Sequence, residues 1–210
     1  MIRIVTQETN EPLTGKSKWW GEPDMPEELD WPAVSVTDEE GETYDDPLTF
    51  ICQLRCEDIA PLDPDGMLPH EGMLYFFAAL DYFLGDLDTP AYPGMGEWEK
   101  QYFRVSYAAH CDDLHTHHLN YPDGTPATKP AEALRFERCS PHNDDLRLLG
   151  YPYLEEVREA MPDKLSLLQV DECDRWGLTF HDSGMLNFLI SPDALRQRRW
   201  DETTCYLYSF

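Results

Sequence analysis

Two stretches of this chain, 48–77 and 165–190, repeat the same order of features. Each begins with an apolar run that ends near a glutamine, crosses an acidic loop, and resumes at Gly-Met-Leu to open a second apolar run. A unit this short cannot bury its own apolar surface, so two copies are expected to pack against each other. Short buried strands also resemble one another by chance. The shared order of glutamine, loop and Gly-Met-Leu favours an internal duplication.

The remaining patterns predict an α+β fold, mostly antiparallel β-sheet built from two repeated halves, with a few short helices. Apolar residues at helical spacing predict a helix at 153–161, and Ser191 followed by Pro192 predicts a helix N-terminus. The whole chain, 1–210, is expected to form one domain. Strands are predicted where apolar or alternating runs have strand length, at 48–54, 73–77, 101–108, 165–170, 185–190 and 203–208.

Other parts of the chain carry loop signals. The first 46 residues are rich in Pro, Glu and Trp, and within them the segments 18–23 and 30–32 are expected to be loops, because proline stops regular structure. The acidic run 38–42 is expected to be a solvated turn. The stretch 81–98 is expected to be a loop, and the polar stretch up to about residue 130 is interpreted as a histidine- and proline-rich insertion.

Acidic residues far outnumber basic residues. Asp and Glu number 41 against 16 Lys and Arg, which gives a formal net charge of -25. Nucleic acids and anionic membranes are bound by clustered Lys and Arg, so the composition argues against both. It favours a basic protein partner, because opposite charges accelerate an encounter. The alternative is an acidic surface that only keeps the protein soluble.

The location of the protein is predicted from two absent signals. The N-terminal sequence has no basic segment followed by a long apolar segment, so no signal peptide is predicted. No window approaches the roughly 18 consecutive apolar residues of a membrane span. A cytoplasmic location is therefore expected, where the six cysteines would remain reduced.

The histidine-rich stretch 110–118 invites a metal interpretation. On a strand, His115 and His117 would share one face and could both reach a zinc ion, with His110 or Asp113 as a third ligand. A tight site also needs rigid placement and supporting hydrogen bonds, which a polar insertion does not provide. The alternative is an exposed loop that binds metal only weakly.

Catalytic motifs are missing from the sequence. At 181–184 the residues His-Asp-Ser-Gly stand side by side, but a catalytic triad is defined by geometry and not by adjacency. The Gly-x-Ser-x-Gly pattern is absent, and Asp-Ser-Gly is typical of a turn. Glycine-rich phosphate-binding motifs are also absent. No catalytic residue and no cofactor are predicted.

The two glutamines of the repeat are the leading candidates for ligand binding. Gln53 and Gln169 lie in apolar runs and need hydrogen-bond partners if they are buried. Each either satisfies irregular backbone across the pseudo-symmetric junction, or faces a cleft between the two halves. Trp20, Arg104 and Asp182 complete the set of candidate ligand-binding residues.

Several short motifs, taken in order, resemble the YwqG-like family of bacterial proteins. The resemblance runs from about residue 16 to the C-terminus; the histidine-rich insertion and the strong acidity depart from it. The motifs are Trp-Gly-x-Pro at 20–23, Trp-Pro at 31–32, the glutamine-containing strand at 48–54, Leu-Pro-x-x-Gly-x-Leu-Tyr-Phe-Phe at 68–77, Leu-Leu-Gly-Tyr-Pro at 148–152, Leu-Leu-Gln at 167–169, Asp-x-Gly at 182–184 and Phe-x-Ile-x-x-x-x-Leu at 188–195.

This resemblance implies a duplicated α+β fold rich in antiparallel strands. It implies no activity and supplies no catalytic residues. Members are often found beside bacterial polymorphic toxin systems, which implies a role in immunity.

The expected function is that of a non-enzymatic acidic binding protein, most concretely an immunity protein that neutralises a bacterial toxin. A nuclease toxin is basic around its site, so an acidic face would mimic phosphate there. The alternative is a small-ligand or metal-dependent enzyme of unknown reaction, with its site in a cleft between the repeated halves or at the histidines. The partner and the oligomeric state are left open.

Overall fold

A computed structural model describes residues 1–37 and 41–210. Most of the acidic run predicted as a turn, residues 38–40, lies outside the described residues. The helices are α1 (Cys56–Ile59), α2 (Glu155–Ala160) and α3 (Pro192–Arg196). The strands are β1 (Ile2–Glu8), β2 (Lys18–Trp19), β3 (Asp24–Met25), β4 (Ala33–Thr37), β5 (Thr43–Pro47), β6 (Thr49–Arg55), β7 (Met73–Ala78), β8 (Gly96–Glu97), β9 (Phe103–Ala108), β10 (His115–Thr116), β11 (Glu132–Arg138), β12 (Arg147–Leu148), β13 (Leu165–Asp171), β14 (Gly184–Ile190) and β15 (Thr204–Ser209).

One antiparallel sheet dominates the described part of the chain. Its strand order is β8-β15-β14-β13-β12-β1-β11-β2-β6-β7-β9, and every neighbouring pair is antiparallel. Two small ladders, β3 with β10 and β4 with β5, lie outside it. The predicted fold class, mostly antiparallel sheet with short helices, is confirmed.

Ten of the eleven strands form two halves with the same strand order, and the short edge strand β8, which pairs with β15, lies outside this repeat. Strands β1, β2, β6, β7 and β9 form the first half, and β11 to β15 form the second, counted in chain order. The register also repeats, because β6 shifts register between Phe50 and Cys52, and β13 shifts between Ser166 and Leu168. Each shift lies just before the glutamine of its strand. The duplication is thus confirmed, and it extends well beyond the two predicted stretches.

The first strands of the two halves are exchanged. Strand β1 pairs with β11 and with β12 of the second half, whereas β11 pairs with β2 of the first half. Each half therefore completes its own sheet with a strand from the other half. Ile2 and Ile4 on β1 are buried, so this exchange also contributes apolar surface to the shared core.

Equivalent residues of the two halves meet in the core. Phe76 of β7 and Phe188 of β14 occupy the same place in the repeat, and their rings lie 5.3 Å apart in an edge-to-face arrangement. Phe103 of β9 also contacts Phe188, at a ring distance of 6.2 Å. Such a contact between equivalent positions is the arrangement found at the two-fold interface of a homodimer.

A second apolar cluster covers the outer face of the first half. Its buried members include Val34 and Val36 of β4, which pack with Phe50, Tyr75 and Phe77 of the main sheet. In the second half, the stretch between β12 and β13 holds helix α2 instead. The β4-β5 hairpin is therefore an elaboration of the first half, and it forms one wall of the cleft described below.

Most local predictions agree with the structure. Helix α2 lies inside the predicted range 153–161, and the Ser191 side chain caps α3 by accepting a hydrogen bond from the Ala194 amide at 3.1 Å. Of the two segments predicted as loops, 30–32 has no helix or strand, whereas 18–23 begins with β2. No strand is predicted where β1, β3, β4 and most of β5 lie. Prolines are absent from the first eleven residues, so β1 is free to pair along its length.

One titration at the end of β13 gives a testable pH dependence. Burial raises the pKa of Asp171 to about 6, and the nearby carboxylates of Asp144 and Glu172 add to the rise. The unfolded value is about 3.9, so the charged form is disfavoured in the folded state and stability falls as pH rises from about 4 through 6. We expect Asp171→Asn to raise the melting temperature at pH 7.5 and to change it little at pH 4.

The control for this measurement is Asp163→Asn, which removes an exposed carboxylate from the same half. It should leave the melting temperature unchanged at both pH values. An equal gain from Asp171→Asn at pH 4 and pH 7.5 would contradict the assignment.

Candidate functional site

Gln53 clamps the backbone of the first half. Its Oε1 accepts a hydrogen bond from the Asp24 amide at 2.8 Å, and its Nε2 donates to the Lys16 carbonyl oxygen at 2.8 Å. Nε2 also lies 3.0 Å from Asp24 Oδ2 and donates to it. The side chain is fully buried, and every polar atom of its amide has a partner within the same half.

Gln169 makes the equivalent clamp in the second half. Its Oε1 accepts from the Tyr153 amide, and its Nε2 donates to the Asp145 carbonyl oxygen, both at 3.1 Å. Four strands separate β6 from β13 in the sheet, which puts the two glutamines five spacings of about 4.8 Å apart along it. Each glutamine satisfies irregular backbone of its own half, and not backbone across the junction between the halves as predicted.

The clamped backbone has the same unusual conformation in both halves. Trp20 and Gly21 have φ values of 56° and 79°, and Leu149 and Gly150 have 58° and 118°. Left-handed backbone is costly for Trp and Leu, so the surrounding structure must hold it. The glutamine bonds on either side provide this hold, which explains why Trp-Trp-Gly and Leu-Leu-Gly recur at matching positions.

A buried ion pair distinguishes the first half. Lys18 Nζ lies 2.8 Å from Asp24 Oδ2, and both side chains are almost completely buried. Asp24 also accepts hydrogen bonds from the Gly15 amide at 2.9 Å and from Thr116 Oγ1 at 2.7 Å. Burial alone would raise the pKa of Asp24, but the bonds from Lys18, Gly15 and Thr116 outweigh burial and hold this pKa below its ordinary value.

The second half has no such pair at the matching position, which lies within the described residues. Arg147 stands where Lys18 stands, and it donates to the carbonyl oxygens of Pro141, Asn143 and Tyr151 at 3.2, 2.9 and 2.8 Å. Tyr153 stands where Asp24 stands, and its ring lies 5.8 Å from the Arg147 guanidinium carbon. The two halves thus share a scaffold and differ in chemistry.

A cleft of about 630 Å³ opens on the first half. It is lined by the segments 46–50, 119–122 and 126–129, by Asp81, Leu84 and Asp86, and by Trp20 and Trp31. This volume is typical of sites for small ligands and for large side chains. The cleft lies between the end of the β4-β5 hairpin, which the second half lacks, and the predicted insertion.

Three carboxylates line this cleft. Burial raises the pKa of Asp46, and the charges of Asp81 and Asp86 raise it further. Burial likewise raises the pKa of Asp81, although a 2.7 Å hydrogen bond from Thr49 Oγ1 opposes the rise. Among residues 1–37 and 41–210, no ion pair reaches any of the three carboxylates, and Lys129 is the one basic residue in the lining.

Aromatic rings form the other part of the lining. Trp31 is fixed by a 2.8 Å hydrogen bond from its Nε1 to the Leu48 carbonyl oxygen, and its ring lies 6.4 Å from that of Phe50. Trp20 is buried, and its indole Nε1 has no hydrogen-bond partner among the described residues. Tyr121 is exposed at the rim. The cleft therefore combines negative charge with ring faces, a combination that suits organic cations.

The structure does not gather the five predicted ligand-binding residues into one site. Trp20 lines the cleft, whereas Gln53 and Gln169 are buried in their clamps. Arg104 is exposed on β9, and Asp182 is exposed in the turn before β14. Of the five predicted residues, Trp20 alone lines the cleft.

The histidines of the insertion lie apart from the cleft lining. His115 belongs to β10 and approaches Asp113 Oδ1 at 3.4 Å, and the His117 amide donates to the Pro23 carbonyl oxygen at 2.9 Å. His110 is exposed. In the part of the chain that the structure describes, no group of three or more His, Cys, Asp or Glu side chains could hold a metal ion. The predicted trio of His110, His115 and His117 is thus not brought together as a metal-binding group.

A family model described as a domain of unknown function (DUF1963) matches residues 17–139 and 112–208 of the chain. The chain belongs to this family. The two overlapping matches correspond broadly to the two halves of the sheet. No curated protein matches the chain. None of the described helices is long and apolar enough to cross a membrane.

Proposed function

We propose that this protein is a non-enzymatic acidic binding protein whose partner is a basic protein. The observation that carries the proposal is the cleft of the first half, where Asp46, Asp81 and Asp86 share the described lining with one basic residue, Lys129. Charges that no internal partner neutralises are available to a ligand of opposite sign. The formal net charge of -25 adds long-range attraction for the same class of partner.

The more specific form of the proposal is an immunity protein of the YwqG-like type, acting in the cytoplasm on a bacterial toxin. Family membership and the motifs at 20–23 and 148–152 support the YwqG-like assignment. Inhibition by occlusion requires a complementary surface and no catalytic group. A toxin that acts on nucleic acid has a basic site, which an acidic cleft would complement.

Co-purification from the native host tests the proposal. The tagged protein, exposed to lysate at about 0.1 M salt, should retain a basic protein that is released at about 1 M salt, where the screening length falls from roughly 10 Å to 3 Å. An unrelated protein of similar net charge is the control bait. Two outcomes would contradict the proposal: retention of the same basic protein by both baits, or retention of no basic protein by the tagged chain.

Co-expression then tests the immunity form. The recovered partner should arrest growth when it is expressed alone and should be harmless when this chain is expressed with it. A partner that is harmless alone would refute immunity and leave the binding proposal intact.

A further inference from the structure

We propose that the cleft of the first half binds the side chain of an arginine carried by the basic partner. This inference rests on the proposed function and names the group that the partner would contribute.

The charge of the lining selects a cation. Asp46 has no hydrogen bond from another side chain among the described residues, and the Asp81 side chain receives the bond from Thr49 Oγ1. Both carboxylates are partly buried, so their attraction for a cation is screened less than that of a fully exposed carboxylate. An arriving cation would also relieve the repulsion among the carboxylates of Asp46, Asp81 and Asp86.

The aromatic lining favours arginine over lysine. A guanidinium is planar, stacks on ring faces and donates to two carboxylates at once, whereas an ammonium is a compact and strongly hydrated charge. Trp31 and Tyr121 both line the cleft, and Trp31 is held in place by its hydrogen bond to Leu48. A volume of about 630 Å³ accommodates the whole side chain.

Trp20 is one of three tryptophans, with Trp19 and Trp200, whose buried indole Nε1 has no hydrogen-bond partner among the described residues, and it is the one of the three that lines the cleft. It lines the cleft with only 1% of its surface exposed, and its indole Nε1 has no acceptor in the described structure. Buried indole N–H groups ordinarily have one. A peptide bearing the arginine has main-chain carbonyl oxygens that could serve as acceptors after a local adjustment of the wall.

The construction of the cleft suits a macromolecular partner. Its rim residues Asn120, Tyr121 and Pro122 are exposed, with Tyr121 at 58%. The rim belongs to the segment that connects the two halves, and the opposite wall is formed by residues at the end of the β4-β5 hairpin. The cleft therefore opens at the surface, within reach of a side chain that projects from a folded partner.

A blocked peptide, Gly-Gly-Arg-Gly-Gly, is the probe for this inference. Calorimetry and the fluorescence of the cleft tryptophans should report its binding. A second peptide with citrulline, the uncharged isostere of arginine, should bind at least about tenfold more weakly, which corresponds to about 1.4 kcal/mol. A lysine peptide should also bind more weakly than the arginine peptide.

Paired variants locate the binding. Asp46→Asn combined with Asp81→Asn should weaken the arginine peptide at least about tenfold, while the amide oxygen introduced at position 81 can still accept the bond from Thr49. Asp45→Asn combined with Asp163→Asn removes the same charge from exposed positions outside the cleft and should change the affinity less than twofold. If the cleft pair fails to fold, Asp46→Asn alone replaces it, because Asp46 accepts no hydrogen bond from another described side chain.

Three results would overturn the inference: no binding of the arginine peptide at millimolar concentration, equal binding of the citrulline or lysine peptide, or equal losses in the cleft and control pairs. Recovery of a basic partner whose affinity is unchanged by the cleft pair would also overturn it and leave the proposed function standing. Specific peptide binding without any basic partner in the host would have the opposite meaning: the cleft would be an arginine site and the proposed function would fail.

Discussion

Lys18→Met should destabilise the protein by about 3–5 kcal/mol, because it leaves the buried carboxylate of Asp24 without its counter-charge. The hydrogen bonds from Gly15 and Thr116 remain, but they do not neutralise the charge. The depressed pKa of Asp24 contributes stability that is present above its unfolded value and is lost as pH falls through its folded value. Chemical denaturation of both proteins at pH 7 measures the loss.

Lys16→Met is the matched control, because Lys16 is exposed and only its backbone joins the clamp. It should change the unfolding free energy by less than about 0.5 kcal/mol. Adding Asp24→Asn to Lys18→Met removes the buried charge and should recover part of the loss. A loss below about 1 kcal/mol from Lys18→Met would show that the buried carboxylate of Asp24 does not depend on Lys18 for its counter-charge.

Phe188→Ala should cost about 3–5 kcal/mol, because it opens a cavity where the two halves meet. Its ring contacts Phe76 and Phe103, one of which is its own counterpart in the repeat. Phe76→Ala should cost a similar amount for the same reason. Equilibrium unfolding in urea gives both values.

The double variant tests whether the halves are coupled through this contact. The two losses should fall short of additivity by about 0.5–1.5 kcal/mol, the interaction expected of an aromatic pair. Leu87→Ala, at a side chain that is 70% exposed, is the control and should have almost no effect. Fully additive losses would indicate that Phe76 and Phe188 stabilise their halves separately.

The central strands of each half could be predicted from the sequence, whereas the first strand of each half could not. Strands β6, β7, β13 and β14 are buried on both faces, so their apolar runs are visible in the sequence. Strands β1 and β11 alternate with polar residues and have little similarity to each other, although they occupy equivalent positions. Their equivalence depends on pairing between distant parts of the chain, which no local pattern records.

The cleft was less accessible to sequence reasoning than the fold. Asp46, Asp81 and Asp86 come from two separate segments, and no spacing between them indicates a shared site. Trp20 was identified through its motif, and the structure relates that motif to the clamp by Gln53 as well as to the cleft. Motifs at 20–23 and 148–152 therefore reported backbone geometry common to both halves, whereas Asp46 lies in the hairpin of the first half and Asp81 and Asp86 follow β7.

The exchange of first strands delays the pairing of β1 while the chain is being synthesised. Ile2 pairs with Arg138, which is 136 positions further along the chain because 138 − 2 = 136. At about 5–20 residues added per second, β1 waits roughly 7 to 27 s for its partner strand to be made. Throughout that wait its edge is open to the β1 strands of neighbouring nascent chains. The negative charge carried by every copy opposes such encounters, so the acidity of the chain also limits pairing between copies that are still being synthesised.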